Sequence, residues 1–395
     1  MNRWGILAVL SIARTGLGLQ FQTVGSASVH IARDFAITFA EVGTLIGVFM
    51  LPGLVLSLPT GYVGRHASDR TLVCVGLACL ATGGVLFAIG DSFALAVVGR
   101  LICGAGFVFC TVFFTKMVTD WFSGKEIAMA MGVLVMSWPL GIALGQAGFG
   151  SLAQFYHWQV AFYLASLFCV GGLLLVLLMY RPPSSASVKV VPQGQRLSGR
   201  EFLLTTLAAL VWAAFNAAYV VYLSFAPLVL GQSGFGPIQA AAVASLASWV
   251  MMASVPACGQ LADRSGRPDL VLYVCLSVGA VSLLLLPMSS LAVPMCLLFG
   301  LLGMSPAGVI MALPGQAVRA ENRALGMGVF FTWYFVVTAP APIIAGWLYD
   351  VSGTATWPMY FAVALILLTI ACNSAFRLAQ GGLPEQRPQL SRRHG

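Results

Sequence analysis

The sequence predicts an all-α polytopic membrane protein of twelve transmembrane helices, on three observations. The 395 residues are 59% hydrophobic and only 8% charged, with a mean hydropathy of +0.93. Apolar runs of helix length recur from end to end, and the second half repeats landmarks of the first at a nearly constant offset. A soluble domain carries about 25% charged residues. A chain this apolar needs lipid as its solvent, crossed by spans of about 20 residues each.

The runs fall at 5–27, 39–60, 71–90, 93–117, 127–149 and 158–180, then at 202–229, 236–258, 269–289, 291–315, 324–349 and 356–378. They are expected to be helices, because backbone polar groups in lipid must be satisfied within the segment. Alternating ten-residue strands of a barrel are absent from the sequence pattern. The first run is expected to be a retained span, since no small-residue cleavage site and polar mature start follow it. Between the sixth and seventh runs lies RPPSSASVKVVPQGQRLSGRE, Arg181 to Glu201, whose Pro, Ser and Gly content reads as a linker. The expected organisation is therefore a six-helix bundle over 1–180, a cytoplasmic linker over 181–201, a second bundle over 202–378 and a tail over 379–395.

The two bundles read as a duplication. GYVGRHASDR at Gly61 returns as GQLADRSGRP at Gly259, AMAMGV at Ala128 as ALGMGV at Ala324, and HWQVAF at His157 as TWPMYF at Thr356. The offsets are 198, 196 and 199 residues, too regular for chance composition. Parallel six-helix repeats of this kind place a binding site near the bilayer midplane, between the halves.

Charge placement orients the chain. With both termini cytoplasmic, sixteen of the twenty Lys and Arg fall in cytoplasmic segments and only Arg33 falls outside. The positive-inside rule then accounts for the net charge of +8 without nucleic acid. Arg14, Arg100 and Lys116 remain inside spans. All nine cysteines lie in apolar runs, no CxxC or Cys/His cluster offers a metal site, and no cofactor or Walker A motif is present. Neither nucleophile elbow nor paired catalytic carboxylates point to an enzyme.

Gly259, Asp263, Arg264, Gly266 and Arg267 spell G-x-x-x-D-R-x-G-R in the short loop between the eighth and ninth runs. With twelve spans and the repeat, this resembles the major facilitator superfamily over essentially the whole chain. The resemblance implies a major facilitator fold of two pseudo-symmetric bundles, alternating access, a small-molecule substrate and a monomer in the inner membrane. The first-half copy departs from the pattern: at Gly61, Arg65 takes the acidic place and Asp69 a basic one. These charges are expected to latch the cytoplasmic side or to be topogenic only. Arg100, Gly104 and Gly106 form RxxxGxG, which resembles a second motif of the superfamily. It implies either coupling and gating or a buried structural arginine.

No Asp or Glu lies in the middle of a run, and Arg14 sits about ten residues into the first. An unpartnered arginine at that depth is costly. It either bonds Gln20, Gln22 or backbone carbonyls, or takes an anionic substrate as counter-ion. Trp212, Asn216 and Tyr219 share a helical face at i, i+4 and i+7, and Trp138 and Tyr334 are further candidates to line the path. Lys116 is expected to snorkel. The expected substrate is a small anion such as an organic acid, cyanate or nitrate, with a general likeness to the cyanate-permease-like branch. Efflux of hydrophobic drug-like compounds is the alternative, and a transporter-fold sensor a distant one.

Overall fold

A computed structural model describes residues 2–63, 67–122, 127–182, 197–288, 291–319 and 322–381. Every regular element among them is helical. Twelve spans follow one another: α1 Arg3–Ser26, α2 Phe39–Ser57, α3 Asp69–Ile89, α4 Phe93–Trp121, α5 Ala130–Phe155, α6 Gln159–Met179, α7 Gly199–Gln232, α8 Pro237–Ser265, α9 Pro268–Leu285, α10 Ala292–Ala317, α11 Leu325–Ser352 and α12 Thr356–Gly381. All twelve expected runs are present, and their ends shift by up to seven residues: α8 runs to Ser265 rather than 258, so Gly259, Asp263 and Arg264, expected in the loop, lie on its last turns.

The boundary of α7 moves for an identifiable reason. α7 starts at Gly199 rather than 202, because Ser198 and Glu201 form a capping box that satisfies the first orphan N–H groups. α12 continues to Gly381 rather than ending at 378. The greater part of the expected linker and tail, 183–196 and 382–395, lies outside the described residues.

Three spans are not single rods. α2 breaks at Phe49–Leu51, just before Pro52. α11 breaks between Thr338 and Ala341, where Pro340 and Pro342 remove backbone donors. α10 passes through a π-helical turn at Phe299–Gly303 and a break ahead of Pro306 and Ala307. α5 instead runs helically through Pro139.

Small residues set how closely the spans approach, as they do where helices pack in lipid. A Cβ on Gly83 or Gly99 would strike the backbone across the α3–α4 contact, and one on Gly18 or Gly141 would do so between α1 and α5. Stacked Phe87 and Phe162, centroids 4.3 Å apart, fill the space between α3 and α6, with Trp158 edge-on to both. The start of α1, the end of α12 and the span ends that flank the linker and the α2–α3, α8–α9 and α10–α11 connections lie at one end of the bundle, here the terminus-bearing face.

Candidate functional site

Arg14 stands halfway along α1 and is 9% exposed. Its Nη1 donates to Leu134 O at 2.7 Å, Val135 O at 3.3 Å and Ser137 Oγ at 3.2 Å, all on α5. Pro139 explains why one of those carbonyls is available: it has no N–H to give Val135 O, four residues back. Arg14 therefore fills a vacancy in the α5 ladder. Its Nε is buried without a hydrogen-bond partner among the described residues, and no carboxylate reaches it there. Gln20 and Gln22, the side-chain partners expected as alternatives, bond elsewhere: Gln20 to Leu80 O and Ser166, Gln22 to Ser26.

Arg100 is fully buried and differently placed. Nε donates to Leu45 O at 2.9 Å, Nη1 to Gln20 O at 2.9 Å and Nη2 to Phe21 O at 3.4 Å, while the guanidinium lies 4.5 Å from the Phe49 ring centroid. Gly104 packs against Phe49 O of α2 and Gly106 against Gly76 O of α3, each without room for a Cβ. The RxxxGxG residues thus seat α4 between α1, α2 and α3, and Arg100 is a clamp among backbone carbonyls.

Each half carries an aromatic group. In the first half, Trp138 lies 5.3 Å from Phe21 and 5.0 Å from Phe107, and Phe107 lies 5.3 Å from Phe49. In the second, Trp212 lies 6.5 Å from Tyr334, which contacts Phe331 and Phe335. Phe335 of α11 bears on Gly53 of α2, the span that also carries Phe49. Asn216 donates its amide N–H to Trp212 O at 2.8 Å and is half-buried. Tyr219 does not join this set: it is 4% exposed and its hydroxyl bonds Ser248 of α8 at 2.7 Å, inside the second half.

At the face opposite the termini the halves are locked together. Phe39 O, Pro342 O and Ala339 O occupy the spaces where Gly346, Gly43 and Gly47 would carry a Cβ, so α2 and α11 meet backbone to backbone. Asp350 at the end of α11 accepts from Phe39 N at 3.0 Å and Ala40 N at 2.7 Å, capping the N-terminus of α2 from across the interface. Deeper in, Gln146 of α5 donates to Leu223 O of α7 at 3.1 Å. This role of Asp350 is not readable in the sequence; an acid facing a helix N-terminus is visible only once the topology brings them together.

Three polar ties at the terminus-bearing face each stay within one half. Lys116 Nζ, expected only to snorkel, grips both oxygens of Asp69 at 2.6 and 2.8 Å. Arg377 Nε bonds Asp269 at 2.8 Å and its Nη1 bonds Gln316 at 2.7 Å. Asp69 and Asp269, like Lys116 and Gln316, stand 200 positions apart, so both ties sit at equivalent places in the repeat. Glu201, a further group the sequence reading missed, is 8% exposed and accepts from Arg319 N and Asn322 Nδ2. Of the loop motif, Gly266 adopts φ +63° and ends α8, a conformation glycine permits. Asp263, Arg264 and Arg267 are exposed and make no ion pair among the described residues, and Gly259 has open space beside it. Arg65 and the surroundings of Gly61 lie outside the described residues.

Comparison with known proteins agrees with this architecture. The pattern of the Major Facilitator Superfamily matches residues 10–341. Multidrug resistance protein 1 of Bacillus subtilis (strain 168) is 23% identical over 391 residues, 94% of this chain and 95% of that protein. Quinolone resistance protein NorA of Staphylococcus aureus (strain MRSA252) is 24% identical over 203 residues, 49% of this chain and 52% of that one. A solved bacterial homolog of the human lysosomal transporter Spinster, inward-facing and occupied, superimposes with a TM-score of 0.75 at 15% identity, covering 96% of this chain and 97% of its own. At that identity the likeness concerns the fold.

Proposed function

We propose what the molecule carries from the premise that it belongs to the Major Facilitator Superfamily, whose members are membrane transporters and not enzymes. The substrate is an organic anion with an apolar or aromatic body, moved by alternating access between the two six-helix halves. The observation that carries this reading is Arg14: at mid-span, buried, with its hydrogen bonds confined to Nη1 and no acidic partner among the described residues. Bonds to carbonyls lower the cost of burying a guanidinium but leave its charge uncompensated. A carboxylate, or a group shaped like one, is the counter-ion that a fork of N–H donors accepts best. Trp138, Trp212 and Tyr334, with the Asn216 amide, offer the apolar walls and the single polar contact that such a body needs.

Around that site, the tight face opposite the termini is the closed gate, and the ties at Asp69 and Asp269 hold each half rigid as it rocks. Gly61 and Arg65, between the body of α2 and the start of α3, and Gly259, Asp263, Arg264, Gly266 and Arg267, on the last turns of α8 and the turn after it, meet when the terminus-bearing face closes. That face is cytoplasmic, in keeping with its excess of Lys and Arg, and the protein works as a monomer in the inner membrane.

A second reading, export of uncharged hydrophobic compounds, is favoured by the aromatic groups and by the drug-resistance relatives. A thermal-shift panel on the purified protein separates the two. A ligand at a hundred times its Kd adds about 2.7 kcal/mol to the folded state. Stabilisation by aromatic carboxylates that disappears in Arg14→Gln is the expected result. Stabilisation by neutral lipophiles alone, unchanged in the variant, makes export of uncharged compounds the function.

A further inference from the structure

The outer surface of the first half carries a feature unrelated to the transport path. Where α3 and α6 meet near the terminus-bearing face, a groove of about 470 Å³ opens toward the lipid. Thr71, Cys74, Val75 and Ala78 on α3 and Leu173 and Leu177 on α6 line it, with Ser68 and Arg70 at its mouth. Residues 68 to 78 rise about 15 Å at 1.5 Å per residue, which is half of a roughly 30 Å hydrocarbon core. The groove therefore has the depth of one leaflet and begins at headgroup level.

Arg70 makes the mouth of this groove chemically specific. Its Nη2 donates to Leu177 O, which fixes the guanidinium across the two helices. Its Nε is buried without a hydrogen-bond partner among the described residues. The neighbouring carboxylate, Asp69, does not compete for it, because both its oxygens are held by Lys116. The hydroxyls of Ser68 and Thr71, 2.8 Å apart, are exposed beside it. A fixed guanidinium with spare donors and two hydroxyls at the head of an apolar slot matches a phosphate diester that carries an acyl chain.

We propose that the α3–α6 groove is a binding site for an anionic phospholipid of the leaflet on the terminus-bearing side, with Arg70 and the Ser68 and Thr71 hydroxyls holding the headgroup and one acyl chain lying between Val75, Ala78 and Leu173. The test is native mass spectrometry of the whole protein released from bilayers of equal phosphatidylglycerol and phosphatidylcholine, counting the lipids retained. The parent protein retains phosphatidylglycerol over phosphatidylcholine, and Arg70→Gln lowers that preference about five-fold, the effect of one basic side chain at an anionic surface. Arg267→Gln, an exposed charge elsewhere on the same face, leaves the preference in place. Ala78→Phe, which fills the slot while keeping Arg70, also lowers retention, and it serves as the test should Arg70→Gln not fold. The proposal is overturned if the parent retains both lipids equally, or if Arg70→Gln and Ala78→Phe keep the parent's preference. It is also overturned if inorganic phosphate displaces the lipid equally well in the parent and in Ala78→Phe, which would make the ligand a free anion.

Discussion

Arg14 and Arg100 are both buried arginines in the first half, but their surroundings assign them different work. Arg100 spends Nε, Nη1 and Nη2 on carbonyls of α1 and α2 and lays its face over Phe49. Replacing it by leucine strips donors from buried carbonyls, each worth about 1–3 kcal/mol when left unmet. Some of those carbonyls also accept within their own helix, so the expected loss is about 2–4 kcal/mol. Arg100→Leu should therefore melt well below the parent in detergent and yet keep the parent's order of preference among ligands. Arg14→Lys should behave in the opposite way: a near-parent melting point, with weaker stabilisation by carboxylates because a point charge replaces the fork. Mid-span arginines were legible in the sequence as exceptional. What separates them was not, since it depends on Pro139 freeing a carbonyl on α5 and on which helices surround position 100. Asn216 and Tyr219 give the same lesson within one helical face: three residues of spacing is enough to turn the tyrosine away toward Ser248.

Among the elements, the α2–α11 contact carries the strongest prediction. Gly43, Gly47 and Gly346 let two backbones touch, and Asp350 caps α2 from the far side. Gly346→Val cannot be accommodated without separating the helices, because the new side chain would fall on Phe39 O and Phe39 C. Asp350→Asn removes a charge–dipole term of about 0.3–1 kcal/mol at an exposed site. With an Ile343→Cys reporter in the contact, a membrane-impermeant maleimide should label the parent slowly, Asp350→Asn somewhat faster and Gly346→Val fastest. Equal rates in all three would mean that this face is not the closed gate. The count and rough limits of the spans could be read from hydropathy alone, because each is long and apolar. The breaks in α2, α10 and α11 could not, since hydropathy does not register whether a proline continues a helix, as at Pro139, or ends one, as before Pro52. The start of α7 at Gly199 was readable in principle from the S-x-x-E of Ser198 and Glu201.

For the whole molecule, the duplication seen at offsets of 196 to 199 residues reappears as matching ties, Asp69 with Lys116, and Asp269 joined to Gln316 through Arg377. Each half is pinned within itself at the terminus-bearing face, and the halves are bound to each other at the opposite one. Rigid-body rocking needs that second contact to open. Phe39 and Tyr349, with ring centroids 4.5 Å apart, lie across it. A Phe39→Cys/Tyr349→Cys pair bridged by a short reducible thiol reagent should stop transport while ligand binding persists, and reduction should restore it. Transport that continues through the bridge would refute rocking about this seam.

The central claim, a buried guanidinium selecting an anionic substrate, is tested most directly by uptake into proteoliposomes of an aromatic carboxylate and of its uncharged amide. The account predicts that the parent carries the carboxylate in clear preference to the amide, and that Arg14→Gln abolishes the difference by losing the carboxylate. Equal uptake of the two by the parent, or a preference that survives in Arg14→Gln, would contradict it.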